Sequence, residues 1–205
     1  MIAIDGPSGA GKGTVARTVA SELAYRHIDT GAMYRAVAWK ALHDGLDLTD
    51  GDAVAAVARA SVIEVDGRVT IDGHDVTDAI RTPVIDRAAA VVAQHQGVRA
   101  ALVERQRRYG AEGGVVMEGR DIGSVVFPDA SLKLYITASP RVRAERRVAE
   151  IGGHVEEVEA SIIERDRKDS TRADSPLHAT SDAVVVDTSG LTIDEVVEHL
   201  LAMVP

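Results

Sequence analysis

Residues 2–14 have the sequence IAIDGPSGAGKGT, at the start of a chain of 205 residues. The apolar run at residues 2–4 is typical of a short strand, and a helical pattern over residues 14–25 follows the glycine-rich loop. Glycine permits backbone conformations in which successive N–H groups surround a phosphate, and Lys12 and the helix N-terminus add positive charge there. This order of strand, loop, lysine and helix predicts a phosphate-binding loop for a nucleoside triphosphate. The alternative, a glycine-rich turn without a ligand, needs neither the lysine nor so many glycines.

The phosphate-binding loop departs from the general pattern at one position. The residue after Lys12 is Gly13, whereas a serine or threonine usually follows the lysine and ligates Mg2+ directly. The hydroxyl is displaced to Thr14, which disfavours a GTPase or a motor ATPase. The run Gly-Lys-Gly-Thr is similar to the loop of nucleoside monophosphate kinases, and that resemblance implies that Mg2+ is held mainly by the phosphates and by water. The predicted loop comprises Gly6, Pro7, Ser8, Gly9, Ala10, Gly11, Lys12, Gly13 and Thr14.

Composition limits the class of protein. An apolar content of 45% without internal repeats predicts one compact domain, residues 1–205, with room for a small insertion. The net charge of −9, together with one Phe, one Trp and four Tyr, disfavours nucleic-acid binding, since an acidic surface repels a polyanion and few rings are available to stack on bases. The chain has no cysteine, no basic and apolar leader, and no apolar run near the ~18 residues that span a bilayer. We therefore expect a cytoplasmic protein with no nucleic-acid or membrane partner.

The rest of the chain alternates between strand and helix patterns. Three short, β-branched runs predict further buried strands, at residues 114–117, 132–136 and 183–186. Helical patterns cover residues 94–108, 140–151, 155–168 and 192–203. Ser139 is the predicted N-cap of the second helix, and Thr192 with Glu195 forms a capping box at the start of the last. The alternation predicts an α/β fold with a parallel sheet covered on both faces.

One segment breaks this alternation. Residues 62–73 (VIEVDGRVTIDG) alternate apolar and polar side chains around the turn Asp66-Gly67, a pattern typical of an antiparallel hairpin. Antiparallel structure within an α/β chain predicts an inserted subdomain, which we place at residues 60–95.

Residues 29–35 (DTGAMYR) form the second segment with functional character. They offer a hydroxyl at Thr30, a phenol at Tyr34 and a guanidinium at Arg35 within one loop and one helical turn, a set suited to a second phosphate. A helix N-terminus with an ordinary cap and a surface arginine explains the same residues equally well. The segment alone leaves both interpretations open.

Residues 118–123 (EGRDIG) directly follow a predicted strand. Ligands of open α/β sheets bind beyond the carboxyl ends of the strands, so Arg120 and Asp121 are placed to reach a substrate. Arg120 suits a phosphate, whereas Asp121 suits a hydrogen bond from a base amine or a sugar, or from magnesium-bound water. The alternative is a turn closed by an Arg–Asp ion pair.

Residues 165–172 (RDRKDSTR) carry alternating charges. At helical spacing Arg165, Asp169 and Arg172 share one face with Lys168, which places a carboxylate among three cations. Charge-rich helices of this kind are usually exposed to solvent without binding a ligand. The same interpretation applies to the helix that carries the arginines within residues 141–147. Gly152-Gly153 lies between the two basic helices, where it would act as a hinge for a lid.

Residues 187–190 (DTSG) satisfy the Asp-x-x-Gly pattern of GTPases after an apolar strand. They lie too late in the chain for that role, and the sequence has no Asn-Lys-x-Asp guanine motif. We interpret them as a turn at the end of a strand.

Together these segments resemble the bacterial cytidylate kinases. The segments that carry the resemblance are residues 5–14, 29–35, 118–130 (EGRDIGSVVFPDA) and 165–172. The resemblance spans essentially the whole chain. It implies a P-loop kinase fold: a central parallel five-stranded sheet covered by helices, an inserted CMP-binding subdomain at residues 60–95 with antiparallel β-structure, continued by residues 75–81, and a short lid at residues 140–172.

The resemblance also implies an activity. A monomer would transfer the γ-phosphoryl group of ATP to CMP, and to dCMP, with Mg2+ carried by ATP. The phosphate oxygen of CMP is already ionised at neutral pH, so the reaction requires alignment and charge neutralisation rather than a general base. Closure of the insert and the lid would exclude water.

The resemblance assigns a role to individual residues, with Lys12, Arg120 and Arg172 as the catalytic ones. It implies that the CMP site is lined by Thr30, Tyr34 and Arg35 and that cytosine is contacted by Arg99 and Asp121. Phosphates would be held by Arg120 and Arg172, and sugar hydroxyls would be recognised by Arg165 and Asp169. ATP would be approached by Arg143, Arg146 or Arg147.

One position departs from the family. Many members carry a serine that contacts cytosine nine residues before the position of Arg99, where this chain has Ala90. The departure removes one polar contact with the base and leaves the strictness of cytosine selection open. Two other functions also remain open: another small-molecule P-loop kinase with a different acceptor, and a regulatory module that uses ATP as a switch.

Overall fold

The glycine-rich loop follows the middle strand of a parallel sheet in a computed structural model that describes residues 1–172 and 174–204. The strands are β1 (Ile2–Asp5), β2 (Arg26–Asp29), β3 (Ile63–Glu64), β4 (Thr70–Ile71), β5 (His74–Asp75), β6 (Val115–Gly119), β7 (Leu132–Thr137) and β8 (Val184–Asp187). The helices are α1 (Lys12–Glu22), α2 (Thr30–His43), α3 (Gly51–Ala60), α4 (Pro83–Val92), α5 (Gln96–Gly110), α6 (Pro140–Ile151), α7 (Val155–Thr171) and α8 (Ile193–Leu201), with a π-helix at Ile122–Val126.

The main sheet has five strands in the order β2-β6-β1-β7-β8. The central strand β1 pairs in parallel with both β6 and β7, so that Asp5 lies opposite Gly119 on one side and Tyr135 on the other. The segments that follow these strands therefore start at the same edge, which is where ligands of such sheets bind. The prediction of a five-stranded parallel sheet is confirmed.

Two strands differ from the sequence-based expectation. The strand β2 is absent from the predicted set because Ile28 is its only apolar residue and the other three are polar. The strand β8 was expected to be buried, but it lies at the sheet edge, and Val184 and Val185 are 37% and 58% exposed. The prediction of burial is wrong there because an edge strand has a neighbour on one side only.

The chain divides into two compact units, one formed by Met1–His27 with Gly114–Pro205 and the other by Ile28–Gly113. In the first unit, apolar side chains of α1 and α8 form one core with the strands. The members of this core include Ile2, Ile4, Val15, Val19, Val116, Leu134, Ile136, Val186, Val196 and Leu200.

The predicted ends of α6 are those observed, with Ser139 Oγ accepting from the N–H of Val142 at 3.3 Å, and the capping box at Thr192 is present.

The second unit contains four helices, α2 to α5, and a small sheet. In that sheet β4 pairs antiparallel with both β3 and β5, which confirms the predicted hairpin. The helices α3 and α4 have no counterpart in the sequence prediction, and α2 has one only at its N-terminus, although each has a capping side chain: Asp29, Asp50 and Thr82 accept from the N–H three residues on. Within the described residues, no helix has both the length and the apolar character that crossing a membrane requires.

Candidate active site

The glycine-rich loop has the backbone that a phosphate cradle requires. Gly9 and Gly11 have φ angles of 78° and 86°, in the left-handed region that favours glycine. A Cβ on Gly6 would lie 1.9 Å from the carbonyl oxygen of Ile136, so the loop passes against β7 only because this side chain is absent. Lys12 is buried, and its Nζ donates to the carbonyl oxygen of Pro7 at 2.7 Å. The ammonium group is thereby held against the loop.

The last residue of β1, Asp5, is not among the residues that the sequence predicts for the site, and it lies between the glycine-rich loop and the segment after β6. Its Oδ1 accepts from the N–H of Ile122 at 2.8 Å, and its Oδ2 accepts from the N–H of Gly123 at 2.7 Å. Burial raises the pKa of Asp5 to about 6, against the opposing effect of these two hydrogen bonds. No sequence pattern predicts the contact, because 117 residues separate Asp5 from Ile122.

A second residue that the sequence does not predict for the site, Glu118, lies next to the glycine that follows Lys12. Glu118 is buried near the end of β6, and its Oε1 lies 2.9 Å from His27 Nε2. A Cβ on Gly13 would lie only 3.1 Å from the same Oε1. The carboxylate thus takes the space next to the loop that a serine or threonine side chain would otherwise enter.

The residues after β6 make two ion pairs with the end of α7. Arg120 Nε donates to Asp169 Oδ2 at 3.0 Å, and Arg172 Nη2 lies 3.8 Å from Asp121 Oδ1. The structure therefore brings together four of the predicted substrate residues. The fifth in this unit, Arg165, is half-buried on α7, one turn before Asp169.

One detail of the helix prediction is wrong. Arg172 does not share a helical face with Arg165 and Asp169, because α7 ends at Thr171 and Arg172 is extended, with φ −63° and ψ 143°. Its Nε donates to the carbonyl oxygen of Ser175 at 2.6 Å, which fixes the side chain after the helix end.

Three arginines of α6 were expected to approach ATP, and they have different surroundings. Arg143 is buried beside the loop, where its Nη1 donates to the carbonyl oxygen of Ser8 at 3.0 Å. Arg146 donates from Nη2 to the carbonyl oxygen of Thr188 at 2.7 Å, and its Nη1 would be 3.9 Å from a Cβ on Gly11. Arg147 is partly exposed and donates to Glu150 at 3.4 Å. Arg143 and Arg146 thus lie beside the glycine-rich loop.

The segments around α6 and α7 include two further predicted features. Residues 187–190 form the turn after β8, in which Thr188 donates its N–H to the carbonyl oxygen of Thr137 at 2.8 Å. Gly152 and Gly153 join α6 to α7 with φ angles of 77° and 110°, and neither has a neighbour that a Cβ would meet. A left-handed glycine pair is the kind of connection that a hinge requires.

The second unit contains the remaining predicted substrate residues. Thr30 is buried at the start of α2, and Asp29 caps this helix by accepting from the N–H of Ala32 at 3.1 Å. The interpretation of this segment as a capped helix N-terminus is correct for the backbone. Arg35, however, is no ordinary surface arginine, because its Nε donates to Asp86 Oδ1 at 3.0 Å and its Nη1 lies 3.8 Å from Asp29 Oδ2. Tyr34 is half-buried on α2, and Arg99 is buried on α5.

Comparison with known proteins identifies the family. Residues 2–205 match the family model described as cytidylate kinase. This chain belongs to the cytidylate kinase family. Among its relatives in that family, the cytidylate kinase of Desulforamulus reducens is 48% identical over 212 residues, which cover 99% of this chain and 96% of the relative. The cytidylate kinase of Pelotomaculum thermopropionicum is 47% identical over 214 residues, with coverage of 99% and 95%.

Solved structures support the fold of this cytidylate kinase family member. A gluconokinase from Sinorhizobium meliloti superposes with a TM-score of 0.52 at 18% identity, and the match covers 98% of this chain and 89% of the gluconokinase. At that identity the likeness concerns the fold alone. It confirms the prediction of a P-loop kinase fold.

Proposed function

We propose that this protein transfers the γ-phosphoryl group of ATP to CMP, and also to dCMP, giving ADP and the nucleoside diphosphate. The observation that carries the proposal is the arrangement at the carboxyl edge of the sheet. The glycine-rich loop follows β1, and Arg120 and Asp121 follow the neighbouring strand β6. A donor site and a set of acceptor residues thus start from adjacent strands.

The proposed chemistry needs no general base. The attacking oxygen belongs to the phosphate of CMP and is ionised at neutral pH, so the residues have to align two polyanions and neutralise charge in a loose transition state. Lys12 suits the donor phosphates, since it is held against the loop. Arg120 and Arg172 suit the phosphates at the point of transfer, with Asp169 and Asp121 orienting their guanidinium groups.

The remaining substrate roles follow from the family resemblance. In the first unit, Asp121 would contact cytosine, and Arg165 and Asp169 would recognise the sugar hydroxyls. In the second unit, Thr30, Tyr34, Arg35 and Arg99 would contact CMP. Arg35 is suited to such a role because Asp86 and Asp29 fix its direction. Ala90 lies within α4 and offers no side-chain hydrogen bond, so discrimination between cytosine and uracil would depend on these other residues.

Magnesium is the cofactor that this reaction implies, and the donor set at the loop fits it. Mg2+ takes oxygen ligands and keeps several of its waters, and the Glu118 carboxylate beside Gly13 and the hydroxyl of the next residue, Thr14, are oxygen ligands of this kind. No group of three His, Cys, Asp or Glu residues within residues 1–172 and 174–204 is arranged to hold a metal ion. By the resemblance of the loop to that of nucleoside monophosphate kinases, the ion would be bound mainly through ATP phosphates and water. When bound, it would neutralise charge on the phosphates.

Three further properties belong to the same proposal. Residues 60–95 would form the CMP-binding insert and residues 140–172 the lid, which Gly152 and Gly153 allow to move. Exclusion of water by the lid would suppress hydrolysis of ATP. The protein would act as a monomer in the cytoplasm.

Transfer of label tests the proposed function. ATP labelled in the γ-phosphate is incubated with Mg2+ and either CMP, dCMP, UMP, AMP or GMP, and the products are separated by chromatography. Label in CDP supports the proposal, and absence of label from both CDP and dCDP contradicts it. Label in ADP formed from AMP, without CDP, would indicate a different monophosphate kinase. Tight ATP binding without transfer to any acceptor would favour the regulatory switch.

A further inference from the structure

Asp5 connects the two segments on which the proposed function depends. It is the last residue of β1 and directly precedes the glycine-rich loop at Gly6. Its side chain accepts from the N–H groups of Ile122 and Gly123, at 2.8 Å and 2.7 Å. A single carboxylate therefore joins the donor loop to the segment that follows β6.

The two bonded N–H groups belong to the first turn of the π-helix. The first N–H groups of any helix lack partners within it, and they need acceptors from elsewhere when they are buried. Later in the same helix, the N–H groups of Val125 and Val126 both donate to the carbonyl oxygen of Asp121. The carboxylate of Asp5 thus accepts from the first two N–H groups of the turn that starts at Asp121.

Side chains of the same segment form ion pairs with α7 and with the residue that follows this helix. Asp169 accepts from Arg120, and Arg172 lies within ion-pair distance of Asp121. The backbone of Ile122 and Gly123 is therefore held from β1, while the side chains of the two preceding residues, Arg120 and Asp121, pair with Asp169 and Arg172. Loss of either support would change the direction of these two side chains.

A buried carboxylate at this position lowers the stability of the folded protein when it is ionised. Asp5 is only 7% exposed, and burial disfavours its charged form. Among charged neighbours, the Asp121 carboxylate also disfavours the ionised form, while the Lys12 ammonium favours it. A neutral amide of the same size would avoid the charge but provide one oxygen acceptor for two N–H groups. The carboxylate is thus suited to fixing both N–H groups at once.

We infer that Asp5 is a positioning residue for the phosphoryl acceptor: by holding the backbone of Ile122 and Gly123, it sets the direction of Arg120 and Asp121. This inference rests on the proposed function, since it concerns the residues that contact CMP there. Asp5 itself contacts no substrate in this mechanism and acts only through the turn after β6.

The test compares Asp5→Asn with a matched control, Glu195→Gln. Glu195 also accepts from a backbone N–H at a helix start, that of Thr192 at 2.8 Å, but it belongs to the capping box of α8. Steady-state kinetics with CMP and ATP varied separately, and calorimetric titration of each nucleotide, are measured for wild type and both variants at pH 8. In Asp5→Asn the KM and dissociation constant for CMP should rise at least about tenfold. The values for ATP should stay within about twofold of wild type, as should all values of Glu195→Gln.

Each outcome has a defined meaning. Equal effects on CMP and ATP, or no effect on either, would overturn the positioning role. If Asp5→Asn does not fold, Asp5→Ser, which keeps a small acceptor, is measured in the same way. Failure of both variants to fold would show that Asp5 is required for folding alone and would overturn the inference. A wild-type protein that forms no CDP would contradict the proposed function instead, and the CMP titration would then test whether Asp5 still supports CMP binding.

Discussion

Arg143 and Asp166 form a two-bonded ion pair between α6 and α7, with Arg143 Nη2 2.5 Å from Asp166 Oδ2 and Nη1 3.1 Å from Oδ1. Arg143 also donates from Nε to the carbonyl oxygen of Ala138 at 2.9 Å and from Nη1 to that of Ser8 at 3.0 Å. The guanidinium group therefore links both helices of the predicted lid to the glycine-rich loop. Such planar two-bonded geometry is available to arginine but not to lysine.

The first prediction concerns the strength of this pair. In a double-mutant cycle of Arg143→Lys and Asp166→Asn, urea unfolding should give a coupling free energy of about 1–3 kcal/mol, because Arg143 is buried and shares bonds with Asp166. Both single variants should raise the KM for ATP, since each loosens the support of Ser8. The exposed pair Arg167 and Glu164 is the control and should show no measurable coupling. Additive effects of the two substitutions would contradict the linkage.

The second prediction concerns Lys12. In Lys12→Ala, kcat should fall by about 10²–10³-fold, because in the proposed function the ammonium group neutralises charge that develops during transfer. The circular dichroism spectrum should match that of wild type, since the strand, loop glycines and helix remain. Lys40→Ala is the control, because Lys40 belongs to α2 and pairs with Asp44 four residues later. Near-normal kcat in Lys12→Ala would refute the role of the lysine.

The third prediction concerns Gly13. An alanine normally stabilises a helix interior by about 1 kcal/mol relative to glycine, but the new Cβ would lie 3.1 Å from Glu118 Oε1. Displacement of the carboxylate should lower kcat by roughly 10–100-fold in Gly13→Ala, measured with saturating ATP and CMP. Gly190→Ala, where a Cβ meets open space, should retain wild-type activity. Gly13→Ser should also lower activity, although it restores the general loop pattern; a gain of activity would contradict this explanation of the glycine.

The fourth prediction is a pH dependence of stability that comes from Asp5. Burial raises its pKa from 3.8 to about 6 in the folded protein, so the folded state binds the proton more tightly than the unfolded chain. The contribution of Asp5 to stability is therefore full below about pH 4 and is lost as the pH rises to about 6. The wild type should lose up to about 3 kcal/mol relative to Asp5→Asn over this range. Urea unfolding of both proteins from pH 4 to pH 7.5 measures the difference, and a constant difference would contradict the raised pKa.

The sequence predicts those parts of the molecule that have local patterns. The ends of α6 are marked by Ser139 and Pro140 at the start and by Gly152 after the last residue, and the structure has the helix within these limits. The strand β2, Arg26–Asp29, was not predicted because the pattern of a buried strand requires more apolar residues than Ile28 alone. Sheet pairing, rather than propensity, makes this segment a strand.

The supporting residues of the candidate site had no such pattern. Asp5 and Glu118 were visible as carboxylates beside the motifs, but their contacts with Gly123 and with His27 join residues 118 and 91 positions apart. These contacts form because β6 lies between β1 and β2 in the sheet. Arg172 was assigned to a helical face because the charge spacing continues past the point where α7 ends. The family was thus predictable from motifs, whereas the geometry of the candidate site depends on the tertiary fold.

The most direct test of the central claim is the ratio of kcat/KM for CMP to the values for UMP, AMP and GMP, each with saturating ATP and Mg2+. The proposed function predicts that CMP has the highest kcat/KM, by at least about tenfold over both purine monophosphates, with CDP and ADP formed in equal amounts. A higher kcat/KM for AMP or GMP than for CMP would contradict the claim.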